Sequence, residues 1–376
     1  MRFASIFSGI GGFELGLEDS EFEPALLCEI DPVAQAVLRA HFPHVPVVPD
    51  VTDLECLPRG TELLTAGFPC QDLSSSGQKE GIGGVRSGLI GDVFRLIRTS
   101  RPQWILIENV HFMLHLAKGA AIARIVQELE ALGYAWAYRV LDSQGFGLPQ
   151  RRRRVFVLAS LDCDPRDVLL TDQGPFEVAT PSADKPIGFY WTEGTYATGL
   201  AGDAVPPLKG GSTIGIPSPP AILLPDGLVG VPHVEDAEAL QGFPRGWSDA
   251  ATSAAKASYR WKLIGNAVPV DVVRWIGWQL RDPGVYNASG DRPLVSGTTW
   301  PDAAWGRDGS RFRAQVGHYP EDVQRASLAT FLRHDLRPLS ARAAAGFLAR
   351  ARKGNLRFPG GFLDSVERHI TETAPA

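Results

Sequence analysis

The sequence has little of what metal-built, disulfide-built or membrane proteins need. Its 376 residues include four cysteines, Cys28, Cys56, Cys70 and Cys163, and no Cys-x-x-Cys pair. That scatter argues against a zinc site or a disulfide framework, and for a reducing, cytoplasmic compartment. No apolar run approaches the ~20 residues that span a bilayer. The opening stretch "MRFASIFSGIGGFELGL" has one Arg before apolar residues, but its glycines and Glu14 spoil a signal peptide. Positive charge is not in excess either. The formal net charge is −5, which gives no bulk signature of a nucleic-acid binder yet leaves room for a local basic face. No internal repeat is present.

What remains is ordinary globular material, 44% hydrophobic and 21% charged, long enough for two domains and a third small piece. Up to about residue 160, short apolar runs alternate with helical patterns. "RFASIF", "PALLCEI", "ELLTAG" (62–67), "QWILIEN" (103–109), "WAYRVLD" and "RVFVLAS" read as strands. "FELGLEDS", "PVAQAVLRAHF" and "AIARIVQELEALGY" read as helices, with Pro32 near one start and Gly133 after one end. This alternation predicts an α/β doubly wound, Rossmann-like sheet, which binds ligands at the carboxyl ends of its strands. Residues 174–232 then hold ten Pro and ten Gly without a regular period, as expected of a loop-rich inserted region. Pattern returns at "EDAEALQGFP" and "KLIGNAVPVDVVRWIGWQL". In the tail, helical stretches are expected at 321–334, 340–353 and 361–372. The expected division is 1–170, 171–232, 233–285 and 286–376.

Several residues stand where chemistry would need them. In "FSGIGGFELG", Gly9, Gly11 and Gly12 let the backbone approach a ligand, and Glu29 at the end of the second strand can accept bonds from ribose hydroxyls. A tight structural turn is the other reading. Asp50 could touch an adenine or merely close a turn. Cys70, in "LLTAGFPCQDLSSSG", follows Pro69 at a strand end and precedes a polar loop. Most lone cysteines are small buried hydrophobes, but a rigidly held thiol beside a loop also suits a nucleophile. Glu108 closes an apolar strand, where burial would raise its pKa and suit proton donation; a salt bridge would serve as well. "PQRRRRVF" places four arginines before a strand. Alternation puts Arg152 and Arg154 on one side, able to present guanidiniums to an anion or carbonyl oxygen.

Taken in order, "FSGIGGFELGL", "CEIDP", "GFPCQ", "ENV", "PQRRRRVF", "LQGFP" and "IGNAVP" resemble the cytosine-C5 DNA methyltransferase family, over residues 3 to 280. The resemblance implies methyl transfer from S-adenosylmethionine to C5 of a cytosine flipped out of double-stranded DNA. It assigns Cys70 as nucleophile, Glu108 to cytosine N3 and the exocyclic amine, Arg154 to O2, and Arg152 to ordering the site. It assigns cofactor contacts to Phe7, Gly9, Ile10, Gly11, Glu29, Ile30, Asp50, Val51, Pro69 and Asn266. It implies a mobile lid over 71–91, hinged at glycines including Gly77, Gly81, Gly83, Gly84, Gly88 and Gly91, and a target-recognition domain between "VFVLAS" and "LQGFP". A cognate restriction endonuclease or defence-system proteins are the implied partners; no metal is expected.

Two departures stand out. Asp72 replaces the proline common after "PCQ". The 174–232 region carries two Lys, no Arg and five acidic residues, a formal −3, although arginine is the commonest reader of guanine. It would therefore read bases with amides, hydroxyls or backbone groups, "PLKGGSTIG" (207–215) being the favoured loop. From 307 to 369, twelve Lys/Arg face six Asp/Glu, so the tail either supplies phosphate contacts or braces the catalytic domain. The alternative functions are a transfer-RNA cytosine-C5 methyltransferase and a catalytically silent DNA-binding regulator.

Overall fold

The computed structural model describes residues 1–68, 88–175, 177–211, 219–295, 297–321, 323 and 325–374. The chain divides into two compact units. The first comprises Met1–Asp142, Arg153–Gly174 and Val268–Glu321; the second comprises Ser143–Arg152, Pro175–Ala267 and Asp322–Ala376.

The first unit is built on strands β1 (Arg2–Ile6), β2 (Glu23–Cys28), β3 (Val47–Val48), β4 (Leu63–Ala66), β5 (Trp104–Val110), β6 (Ala135–Asp142) and β7 (Arg153–Ser160). Three further strands, β12 (Arg292–Pro293), β13 (Ala303–Arg307) and β14 (Ser310–Arg313), complete a ten-stranded sheet among the described residues. Its order is β12-β14-β13-β6-β7-β5-β4-β1-β2-β3. From β3 to β5 every pairing is parallel, whereas β7 runs antiparallel between β5 and β6. Central strands such as "LLTA" and "WILIE" are apolar on both faces because helices cover both sides. Leu64, Ile105 and Ile107 are fully buried with Phe94 and Ile97 from helix Gly88–Ser100 and Val126 and Leu129 from helix Ala120–Ala131.

Helix α1 (Gly12–Glu18) starts at the glycine turn, and α2 (Pro32–His41) starts at "DP", where Asp31 accepts the Val33 N–H at 2.9 Å and Pro32 occupies the first turn. The run "KLIGNAVPVDVVRWIGWQL" forms two helices rather than one. Arg260–Asn266 ends before Pro269, and Val270–Arg281 begins after it, since proline excludes helical backbone in the residue ahead of it. The second of these packs on α1. A methyl on Gly12 would come within 2.6 Å of the Val268 carbonyl oxygen, so the close approach requires glycine there.

The second unit carries a five-stranded sheet among the described residues, with β8 (Ile187–Phe189), β9 (Ala201–Gly202), β10 (Ala221–Leu223), β11 (Val229–Val231) and β15 (Arg337–Pro338) in the order β15-β11-β10-β8-β9. Helices Ala341–Lys353 and Phe362–Thr373 cover it. Phe189 of β8 meets Phe347 and Phe362 with ring centroids 4.8 and 5.2 Å apart.

The tail is therefore not one extension. Residues up to 321 add strands to the large sheet, and later ones build the core of the second unit. Nor is 233–285 a single return segment, because the two units part between Ala267 and Val268. The expected helix over 321–334 is reduced to Leu328–Phe331. Two carboxylates take its backbone donors instead. Asp203 accepts the Leu328 N–H at 2.8 Å, and Asp236 accepts those of Arg333 and His334 at 3.1 and 3.0 Å.

Candidate active site

Strands β1, β2 and β4 run parallel and end together, so their carboxyl ends bring the glycine turn, Glu29 and the approach to Cys70 to one edge. Phe7, Gly9 and Gly11 all have left-handed backbone, with φ of 59°, 57° and 92°. Phe7 is the costly one, since a side chain disfavours that region. Its ring meets Phe68, beyond the end of β4, edge-on at 6.4 Å. Ser8 ties the turn to β2: its backbone N–H donates to the Cys28 carbonyl at 3.0 Å.

Glu29 is held from two sides. The Gly9 N–H reaches one carboxylate oxygen at 2.8 Å, and the Asp31 N–H reaches the other at 2.9 Å. Burial nevertheless raises its pKa, with those backbone bonds working in the other direction. Ile30 is 70% exposed, an unusual position for an isoleucine beside so ordered a turn. Ile10 and Val51 are buried beneath. Asp50 closes a turn by accepting the N–H and hydroxyl of Thr52 at 2.9 and 2.8 Å, which holds its carboxyl below the usual range.

The region fits a nucleoside cofactor. The space a side chain on Gly9 would take is open to 4 Å. Each Glu29 oxygen retains a lone pair beyond its backbone bond, suited to ribose hydroxyls. The exposed face of Ile30 offers an apolar surface for a base.

Glu108 lies in β5 opposite Phe156, and Val110 lies opposite Arg154 in β7. That register brings Arg154 Nε to 3.0 Å from Glu108 Oε1, with both side chains largely buried. Asn109 does something the sequence reading did not assign. Its side-chain amide donates to the Phe68 carbonyl at 2.9 Å, while its oxygen accepts the Val110 N–H at 2.9 Å. It thereby clamps the residue leading into "PC". The motif "ENV" was the signal for it.

Pro69 and Cys70 lie outside the described residues, as do Asp72 and the 71–87 part of the lid expected over 71–91. Gly88 and Gly91, expected as lid hinges, belong instead to helix Gly88–Ser100. Of the other cysteines, Cys28 is excluded as a nucleophile, because burial pushes its thiol up to about 12.

Arg152 and Asn266 belong to the second unit. Arg152 is 1% exposed and donates to the carbonyls of Leu208, Gly265 and Ala267 at 2.9, 3.0 and 2.8 Å. Strand alternation would put it beside Arg154. Instead β7 begins only at Arg153, and Arg152 works on the backbone of "PLK" and "GNA". Two buried amides, also unforeseen, join the same motifs. Gln150 donates to the Leu240 carbonyl at 2.7 Å and accepts the Leu208 N–H at 2.9 Å, while Gln241 donates to Ile264 at 2.8 Å. Asn266 lies against Gly210, where any side chain would collide with it. In "PLKGGSTIG", Lys209 pairs with Glu193 and sits 3.6 Å above the Tyr190 ring; residues 212–215 are outside the described set.

Among the described residues no helix is long and apolar enough to cross a membrane. A family model, C-5 cytosine-specific DNA methylase, matches residues 1–187. The chain is 45% identical to Type II methyltransferase M2.BsuMI of Bacillus subtilis (strain 168), with 98% of each chain covered. It is 35% identical to Type II methyltransferase M.BanI of Aneurinibacillus aneurinilyticus over 46% of this chain and 42% of that one. Among solved structures, the S. pombe Dnmt2 methyltransferase superposes with a TM-score of 0.53 at 16% identity, covering 74% of this chain and 98% of that one. At that identity the likeness shows the fold alone: a mixed α/β fold around a large central sheet. The sheet, the ordered motifs and the near whole-length relative agree: the chain belongs to the C-5 cytosine-specific DNA methylase family and is a DNA cytosine-C5 methyltransferase.

Proposed function

We propose that Cys70 is the nucleophile of this methyltransferase and that Glu108 and Arg154 grip the target cytosine. The observation that carries this reading is the buried Glu108–Arg154 pair at 3.0 Å, one residue from the Asn109 clamp on Phe68. The Cys70 thiolate adds to C6 of a flipped cytosine, turning C5 into an enamine-like carbon. Glu108 engages N3 and the exocyclic amine as the thiolate adds, and Arg154 holds O2. Loss of the C5 proton and expulsion of the thiolate restore the ring. Arg152 helps to order the site by fixing the backbone at Gly265 and Ala267.

S-adenosylmethionine would be held by Phe7, Gly9, Ile10, Gly11, Glu29, Ile30, Asp50 and Val51, with Pro69 and Asn266 assigned by family resemblance. When bound it supplies a methyl group activated on a sulfonium, which C5 accepts. Glu29 contributes the ribose contact, and the left-handed backbone at Phe7, Gly9 and Gly11 keeps the turn open.

The DNA sequence is read by the 171–232 region, all but its first four residues in the second unit, using amides, hydroxyls and backbone rather than arginine. The name of the M2.BsuMI relative, a Type II methyltransferase, supports a place in a restriction-modification system with a cognate endonuclease as partner. The test is covalent capture. Wild-type protein incubated with cofactor and 5-fluorocytosine DNA is expected to form a denaturation-resistant adduct mapping to Cys70. A mapped adduct elsewhere, or one surviving Cys70→Ser, would overturn the assignment.

A further inference from the structure

The second unit contains a group of metal-competent side chains that methyl transfer does not use. His233 caps the helix Val234–Leu240, Glu235 sits in that helix's first turn, and His334 arrives from the tail. One ligand atom from each lies within 4.8 Å of the other two. The rings of His233 and His334 stack with centroids 4.3 Å apart, and His334 Nε2 stands 3.6 Å from Glu235 Oε2. His233 and Glu235 are two residues apart at one helix start, and His334 joins them from about a hundred residues further on, so no local spacing announces the group.

Three further observations favour a cation. Asp236, with its side chain wholly buried, lies 3.2 Å from His334 Nδ1. A carboxylate there accepts the Nδ1–H and leaves the Nε2 lone pair facing Glu235, the usual outer support of a metal-bound imidazole. Asp236 is itself fixed by Arg245 at 2.9 Å and by the N–H groups of Arg333 and His334. Arg245 balances Asp236, which leaves the Glu235 carboxylate available to a divalent ion.

We propose that His233, Glu235 and His334 bind a first-row divalent cation of the zinc class, with water completing the coordination. Imidazole and carboxylate donors suit that class. In a tetrahedral zinc site, ligand atoms stand about 3.3 Å apart given bonds of ~2.0–2.1 Å. Closing to that spacing takes side-chain rotation at the exposed His233. Its bond from the Glu235 N–H, at 3.4 Å, is a weak cap that ligation replaces. The ion would clip the 332–335 segment to the helix that follows His233.

The experiment uses untagged full-length protein, stripped with chelator and titrated with Co²⁺ alone, then with Zn²⁺ in competition. One equivalent of Co²⁺ is expected to give visible ligand-field absorption that Zn²⁺ abolishes. Zn²⁺ is expected to raise Tm by a few degrees at a hundredfold excess over Kd. His334→Ala and His233→Ala should each weaken binding about tenfold or more and remove the Tm rise, with metal-free melts near wild type for at least one. Glu235→Gln should weaken binding with the helix intact. His111→Ala alters the separate imidazole–carboxylate cluster with Asp302 and His318, and should change nothing. Absent absorption, equal binding by the His233/His334 double variant, or loss in His111→Ala would each overturn the proposal.

Discussion

Glu14 gives a prediction that can be worked through from the structure. It sits in α1 within the glycine motif, 2% exposed, and neither carboxylate oxygen has a hydrogen-bond partner among the described residues. Burial pushes its pKa from 4.5 up to about 7, more than the neighbouring Ser5 and Ser8 hydroxyls and its own backbone N–H lower it, and Glu29 adds to the rise. Between those two values the native state keeps a proton that the unfolded chain has released. Fewer protons on the unfolded state mean that stability falls as pH rises. The effect is absent below about pH 4.5, where both states are protonated, and complete above about pH 7. At about 1.4 kcal/mol per pH unit, the gap amounts to roughly 3 kcal/mol. Glu14→Gln cannot ionise and escapes this loss. Paired urea melts of wild type and Glu14→Gln should therefore diverge in the variant's favour by about 2 kcal/mol between pH 5 and pH 8. Glu29 shifts in the same direction but is common to both chains. Parallel profiles across that range would refute the claim that an uncompensated carboxyl is buried beneath the turn.

Two further changes probe the site. Glu108→Gln should lower kcat by about 10²- to 10⁴-fold, the range of a positioned acid–base group, and leave Arg154 short of its counter-charge; single-turnover methylation within threefold of wild type would contradict this. Asn109→Ala strips the Phe68 carbonyl and Val110 N–H of their buried partner, an expected stability cost of about 1–3 kcal/mol. Because the clamp acts on the strand end rather than on the cofactor, kcat should fall more than tenfold while cofactor Kd, read by calorimetry, stays within threefold; the reverse pattern would place Asn109 in cofactor binding.

The order of strands and helices through residue 160 was legible because buried parallel strands must be apolar on both faces, and "ELLTAG" and "QWILIEN" have no other use. Strands β12 to β14 were not. "AAWGR" and "SRFR" are segments of five and four residues without a clean apolar–polar alternation, so nothing in their pattern separates them from loop. The 321–334 stretch misled for a different reason. Its helical spacing is real, but Asp203 and Asp236, remote in sequence, outbid the helix for its N–H groups. At the candidate site, the motifs made the positions legible: Glu29 stands at the strand end beside the glycine turn, and Glu108 pairs with Arg154. Arg152 was legible as important but not in its action, since backbone carbonyls at Leu208, Gly265 and Ala267 carry no side-chain signature. Gln150 and Gln241 were invisible for the same reason.

The most direct test of the central claim is bisulfite sequencing of plasmid DNA from a methylation-deficient host expressing this chain, beside a Cys70→Ala control. The account predicts protected cytosines confined to one short sequence motif, and none in the control. Protection that persists without Cys70, or soluble cofactor-binding protein that protects no cytosine, would contradict it.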